Sequence, residues 1–251
     1  MFKINLTTTL VLFGMFFFFK NKTMPVDPTH GSAETIPMKH NAWDTLLKKY
    51  VDDDGQVDYE GFKKASSELD AYLHELAVNY PSKNWTKEDR LAYYINLYNA
   101  GTIKLITANY PVKSIKDIKR PWDQKWLRIG DKMYSLGDIE HEILRKMNEP
   151  RIHFAINCAS FSCPKLINEA YKAEHVDQQL HIAAVNFIND PNRNIISTEK
   201  AQLSEIFKWF KKDFTENGSL TDFVNQYAKT TINRKTKTGY LDYDWSLNEA
   251  K

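Results

Sequence analysis

The densest run of groups able to do chemistry is Asn157-Cys158-Ala159-Ser160-Phe161-Ser162-Cys163-Pro164, which holds both cysteines of the 251-residue chain. A thiolate is a nucleophile and a soft metal ligand, and its availability depends on what surrounds the sulfur. If Pro164 opens a helix, Cys163 is the N-cap, and the helix N-terminus would stabilise its thiolate. A histidine in reach would then complete a thiol nucleophile and base. Against this stands a local disulfide, because two cysteines separated by four residues can pair in an oxidising compartment. A metal site built from both thiols and His141 lacks a convincing fourth ligand, so neither metal nor cofactor is expected. The disulfide or structural-thiol reading stands ahead of catalysis.

Other polar residues could converge on the same loop. Ile139-Glu140-His141-Glu142 falls in the first turns of a predicted helix, where Asp138 is spaced to orient the His141 imidazole. His153 is a second candidate base, on a predicted strand face opposite Ile152 and Phe154. Asn96 and Asn99, three apart on an apolar helix, must find partners, because an unsatisfied buried amide costs roughly 1–3 kcal/mol. They either pin neighbouring loops or line a polar pocket, and the first has the better claim.

The elements that must place these groups are read from periodicity and caps. Helices are expected over Ala42–Val51 and Tyr59–Asn79, then over Arg90–Tyr110 behind an N-cap at Thr86 with Asp89 three residues on. Trp126–Ile129 and Met133–Tyr134 flank a Gly130-Asp131-Lys132 hairpin loop, and Ser135 caps a helix to about Met147. Arg151–Cys158 alternates like a half-buried strand that delivers Cys158 at its end. A helix over Val176–Asn189 precedes a hairpin of Asn194–Thr198 with Ala201–Leu203. Helices over Glu205–Phe214 and Leu220–Lys229 follow, with a closing strand Tyr240–Trp245. Helices and small hairpins in irregular order indicate a helix-rich α+β domain, single from about residue 40 to 251.

Composition narrows the function classes. With 42% hydrophobic and 26% charged residues the chain can bury a sizeable core, and a net charge of +2 gives no field for nucleic acid. The acidic run Asp52-Asp53-Asp54-Gly55 resembles a calcium loop, but Tyr50 and Gly61 would occupy its first and twelfth positions, so the cage does not close. P-loop, dinucleotide-binding, Gly-x-Ser-x-Gly and His-Glu-x-x-His motifs are absent. Leu6–Phe19, preceded by Lys3 and closed by Lys20 and Lys22, has the shape of a secretory signal. Its continuous apolar part, Leu10–Phe19, is well short of the roughly 20 residues that span a bilayer. Residues 1–33 are therefore read as a signal peptide or a retained anchor, which implies an exported, cell-envelope or membrane-anchored protein. A start at Met24 in a cytosolic protein is the lesser alternative.

Five ordered motifs bring these pieces together: Tyr94-Ile95-Asn96-Leu97-Tyr98-Asn99-Ala100, Tyr110-Pro111-Val112-Lys113-Ser114-Ile115, Ser135-Leu136-Gly137-Asp138-Ile139-Glu140-His141, His153 to Ser160 with Ser162-Cys163-Pro164, and Tyr240-Leu241-Asp242-Tyr243-Asp244-Trp245. With them the chain resembles the family catalogued as domain of unknown function 547, found in bacterial exported proteins and some multidomain eukaryotic ones. Tyr94 stands where that family usually has Trp. The resemblance implies that Asn96, Asn99, Glu140, His141, Cys158, Ser160, Cys163 and Pro164 belong to the family pattern, and it implies no activity. The expectation is a pocket lined by Asn96, Asn99, Ser160, His153 and His141 around the cysteine loop. As an enzyme it would be a thiol-dependent hydrolase or acyltransferase, with Cys158 or Cys163 as nucleophile, His141 as base and Glu140 or Asn99 as orienter. As a binding module it would hold a small-molecule or peptide ligand beside a Cys158–Cys163 disulfide, and a scaffold without pocket chemistry is the third reading.

Overall fold

The computed structural model describes residues 36–250, and the leader-like segment read from residues 1–33 lies outside them. Four helices open the domain: α1 (Asn41–Tyr50), α2 (Tyr59–Lys64), α3 (Ser66–Val78) and α4 (Lys87–Asn109). The helix expected over Tyr59–Asn79 is thus two, because the backbone leaves helical values at Ala65 (φ −92°, ψ 29°). Ser66 and Ser67 follow that break, residues of only middling helix propensity that favour starting a helix over continuing one. α4 begins as its cap predicts: Thr86 Oγ1 accepts from Asp89 N–H at 3.1 Å while the Asp89 carboxylate accepts from Thr86 N–H at 3.0 Å. From Leu91 to Thr107 nearly every residue is buried, which makes α4 the axle of the domain.

A hairpin, β1 (Leu127–Ile129) and β2 (Lys132–Tyr134), pairs antiparallel with Leu127 opposite Tyr134 and turns through Gly130 at φ 58°. It reaches α4 at Gly101, where a Cβ would lie 3.0 Å from Leu127 Cδ1, a contact that the Leu127 side chain would have to yield to admit. Beyond the hairpin, α5 (Val176–Ile188) precedes β3 (Ile195–Ile196) and β4 (Ala201–Ser204). Then come α6 (Ile206–Trp209), α7 (Lys211–Phe214), α8 (Leu220–Asn225) and β5 (Thr238–Leu241). β3 and β4 are antiparallel, β4 and β5 parallel, in the order β3-β4-β5. The fold is helix-rich α+β.

Four local expectations are corrected. Arg151–Cys158 is not a strand: Pro150–Phe154 is a 3₁₀ turn, started by Pro at its first position and capped by Glu149, and an irregular segment follows. The alternation misled because both faces are covered. Ile152 packs in a cluster built around α1–α4, Phe154 in a second cluster with Phe187, Phe207 and Phe214, and the intervening His153 is buried as well. Pro164 does not open a helix, so Cys163 has no helix N-terminus to cap. The stretch Glu205–Phe214 breaks at Phe210 (φ −107°, ψ 25°), which turns its ring onto His153. The closing strand ends at Leu241, and Asp242–Trp245 runs on as irregular chain.

Candidate functional site

The cysteine loop is fixed by amides from below. Asn99 of α4 donates from Nδ2 to Ala155 O (3.0 Å) and accepts Asn157 N–H (2.9 Å), clamping the chain just before Cys158. Asn157 in turn accepts Ala159 N–H (2.7 Å) and donates to Pro164 O (2.8 Å), closing the loop on itself. That tie holds Ala159 at φ 59°, a left-handed backbone that alanine rarely adopts and that costs on the order of 1–3 kcal/mol. Asn96 clamps the Tyr171 backbone in the same two-handed way, at 2.8 and 3.0 Å. Both asparagines therefore position loops, and neither is among the residues around the cavity.

Above the loop lies a cavity of about 240 Å³. Cys158 and Cys163 line it together with Glu140, His141 and His153, under a wall of Trp122, Trp209, Phe210, Tyr243 and Trp245. The wall rings hold one another: Trp209 lies 4.8 Å from Tyr243 and 5.7 Å from Trp245, and Tyr243 lies 4.6 Å from Trp245. At about 240 Å³ the space is small, below the roughly 300 Å³ where drug-sized sites begin.

Both cysteines are free thiols, and they differ. Cys163 Sγ accepts from Cys158 N–H at 3.0 Å and from Tyr243 O–H at 3.2 Å. Burial pushes the Cys163 thiol up, but hydrogen bonds from the Cys158 thiol, the Ser160 and Tyr243 hydroxyls and the Cys158 amide outweigh it and bring it down to about 6. Cys158 is pushed well up, first because its S–H donates to Cys163 and then by burial, so it stays a thiol. Ser160 Oγ stands 3.2 Å from Cys158 Sγ and 2.9 Å from Tyr243 Oη, completing a ring of small donors around the pair.

Tyr243 arrives from the other end of the chain. The segment after β5 docks on the cysteine loop, with Phe161 N–H donating to Ser246 O (2.6 Å), Ser162 N–H to Asp244 O (3.1 Å) and Asp244 N–H to Ser162 Oγ (2.9 Å). Sequence reasoning did not single out Tyr243 as a site residue. The available signal was the closing motif Tyr240–Trp245, whose second half carries the site.

Glu140 and His141 sit in a π-helical turn, Asp138–Ile143, followed by a 3₁₀ turn, Leu144–Met147, where an ordinary helix was expected. Such wide turns recur at functional sites, and here adjacent residues both reach the cavity wall. Glu140 is buried, its Oε2 accepting from Tyr98 O–H at 3.3 Å, and burial raises its carboxyl. The charge of Cys163 raises it further, against the Tyr98 hydrogen bond and the Arg145 charge. Asp138 does not orient His141; it accepts Ser135 N–H and pairs with Lys125. Arg145 takes that part, lying 3.3 Å from His141 Nδ1. Because a guanidinium only donates, Nδ1 must accept, which leaves the imidazole proton on Nε2.

Arg145 also forks onto Asp213 at 2.7 and 2.8 Å, and the same carboxylate accepts from His153 Nε2 at 2.8 Å. Burial works against the Asp213 anion, yet the Arg145 and His153 hydrogen bonds hold its carboxyl well below the usual range. His153 is lowered by burial, with Asp213 opposing, and stacks 4.0 Å from Phe210. It reaches neither sulfur through a hydrogen bond and braces the cavity wall instead. In the acidic turn at Asp52–Gly55, Asp52 Oδ1 accepts Asp54 and Gln56 N–H while Asp53 and Asp54 reach Asn168 and Lys165, and no metal-ligating cluster occurs among the described residues.

Comparison with known proteins adds a family and nothing beyond it. Residues 82–188 match the model of the family described as Protein of unknown function, DUF547, in agreement with the resemblance read from the motifs. The match runs from the approach to α4 through the cysteine loop to the end of α5, and Tyr243 lies outside it. No curated protein and no solved structure matches the chain. Among the described residues no helix is long and apolar enough to cross a membrane.

Proposed function

We propose that the protein is a thiol-dependent hydrolase or acyltransferase whose nucleophile is Cys163. The observation that carries this reading is convergence on one sulfur: an N–H and an O–H both point at Cys163 Sγ, which lines the cavity shared by Glu140 and His141. In the reaction, the Cys163 thiolate attacks the carbonyl carbon of an acyl donor. The carbonyl electron pair moves onto oxygen, to which His141 Nε2–H donates a hydrogen bond. When the bond to the leaving group breaks, its electron pair departs with that group, which takes the proton of the neutral Glu140 carboxyl and leaves a thioester. Water, or an amine or alcohol acceptor, attacks the thioester while the Glu140 carboxylate takes its proton, and the sulfur leaves as thiolate. Glu140 thus carries the acid–base work first assigned to His141, whose Nδ1 is occupied by Arg145.

The test is acylation by p-nitrophenyl acetate, followed by intact mass and peptide mapping. A transient acetyl group on Cys163, lost in Cys163→Ser and retained in Cys158→Ser, is the expected result, with Glu140→Gln slowing both formation and release. Acetylation confined to Cys158, or none on either thiol, overturns the proposal.

A second reading is favoured by the closeness of the two cysteines, since Cys163 Sγ lies 3.0 Å from the Cys158 amide and the Tyr243 hydroxyl lies 3.5 Å from one sulfur and 3.2 Å from the other. It keeps the cavity for a small-molecule or peptide ligand, with a disulfide across the loop. A quantitative disulfide that resists mild reductant in protein from an oxidising compartment would select it. The leader-like composition of Leu6–Phe19 supports an exported or membrane-anchored location, which fractionation of cells and protease access to the folded domain would test.

A further inference from the structure

Behind the cysteine loop lies a second cleft of about 730 Å³, and Pro164 lines both it and the thiol cavity. Arg193 stands in this cleft with only 8% of its surface exposed. Its Nε donates to Cys163 O at 3.2 Å and its guanidinium lies 4.6 Å from the centre of the Phe161 ring. The two terminal nitrogens make no hydrogen bond or ion pair among the described residues. Asp244 feels the guanidinium charge but is not paired with it, and its Oδ1 accepts Ser246 N–H instead. Neither terminal nitrogen is sealed from solvent, so the stem of Arg193 is buried while its fork opens into the cleft with its acceptor positions unfilled by protein.

We propose that this cleft binds a carboxylate-bearing ligand through the free fork of Arg193. A planar guanidinium matches a carboxylate with two parallel hydrogen bonds. The other charges decide the size of the anion. Lys165, Arg193 and Lys229 line the cleft against Asp53, Asp54 and Asp190, so the wall is neutral in sum and suits a monoanion better than a phosphate dianion. Lys165 is already paired with Asp54 at 2.8 Å and Asn168 Nδ2 donates to Asp53 at 2.9 Å, while Asn192 adds a side-chain amide of the kind that recognises a peptide-like body. The site stands whether or not Cys163 is a nucleophile.

The experiment is titration of the full chain with N-acetylglycine, its uncharged amide and inorganic phosphate, followed by calorimetry and by the side-chain Nε–H resonances of arginine in NMR. N-acetylglycine should bind and shift one Nε–H resonance, the one missing in Arg193→Lys, while the amide binds at least roughly tenfold more weakly. Arg193→Lys keeps the charge without the fork, and should weaken N-acetylglycine by a similar factor while leaving the other arginine resonances in place, which reports that it has folded. Equal binding of acid and amide overturns the proposal. So does phosphate binding as tightly as N-acetylglycine, or unchanged affinity in folded Arg193→Lys.

Discussion

Tyr243→Phe tests the Cys163 environment directly, because it deletes one oxygen and keeps the ring that packs on Trp209 and Trp245. The lost group is the O–H that donates to Cys163 Sγ at 3.2 Å. A hydrogen bond to a charged acceptor contributes about 1.5–3 kcal/mol, and a donor at this distance from sulfur belongs at the low end. About 1.5 kcal/mol corresponds to roughly one pKa unit, which moves the Cys163 thiol from about 6 to roughly 7. The assay is the pH dependence of iodoacetamide alkylation, with the labelled cysteine identified by mapping. At pH 6 the thiolate fraction falls from about one half to about one tenth, so the rate should drop about fivefold, while the plateau at high pH is unchanged. Tyr240→Phe, which alters a tyrosine beneath Lys208 and leaves the sulfur donors intact, is the control. An unmoved midpoint in Tyr243→Phe, or label on Cys158 in the wild type, would refute the reasoning.

Four further outcomes follow from the structure. Asn99→Ala removes the clamp on Ala155 O and Asn157 N–H and should cost about 2–4 kcal/mol in urea unfolding, through two lost hydrogen bonds and two backbone groups left buried. The same change at Asn96 should cost a similar amount without altering Cys163 alkylation in the folded protein, since Asn96 holds Tyr171 and not the cysteine loop. Arg145→Met should destabilise by about 1–3 kcal/mol, less than for a fully buried pair because both partners keep some solvent, and should slow acetylation by freeing His141 Nδ1. His40 is lowered to about 4 by burial, with Glu174 opposing, so protonation favours the unfolded chain. Its contribution is complete above about pH 6.5 and is lost as pH falls toward 4, amounting to about 2 kcal/mol at pH 5. Urea midpoints at pH 7 and 5 should differ accordingly, and less in His40→Asn, a residue that tolerates the left-handed backbone found there (φ 53°). An equal pH dependence in the variant would exclude His40 as its source.

What could be read from the sequence is what is decided within a few residues. The Thr86–Asp89 cap, the buried α4 and the two short hairpins are local patterns, and they appear nearly where periodicity puts them. Asn96 and Asn99 follow from a general requirement that a buried amide find partners, and each meets it on a loop backbone. The misreadings share another cause. Arg151–Cys158 alternates because two cores take alternate residues, a pattern that imitates a strand with one wet face. The expected helix N-cap at Cys163 gives way to donors brought by tertiary structure, an amide from Cys158 and a hydroxyl from Tyr243, eighty residues along the chain. Such an environment leaves no periodic trace, because the docked segment is irregular and meets the loop through backbone bonds that any sequence could make. The same holds at Arg193, whose position in the sequence gives no sign that its stem is buried and its fork opens into a cleft. The groups with the most unusual surroundings here, Cys163, Glu140 and Arg193, are therefore those whose surroundings only the folded chain assembles.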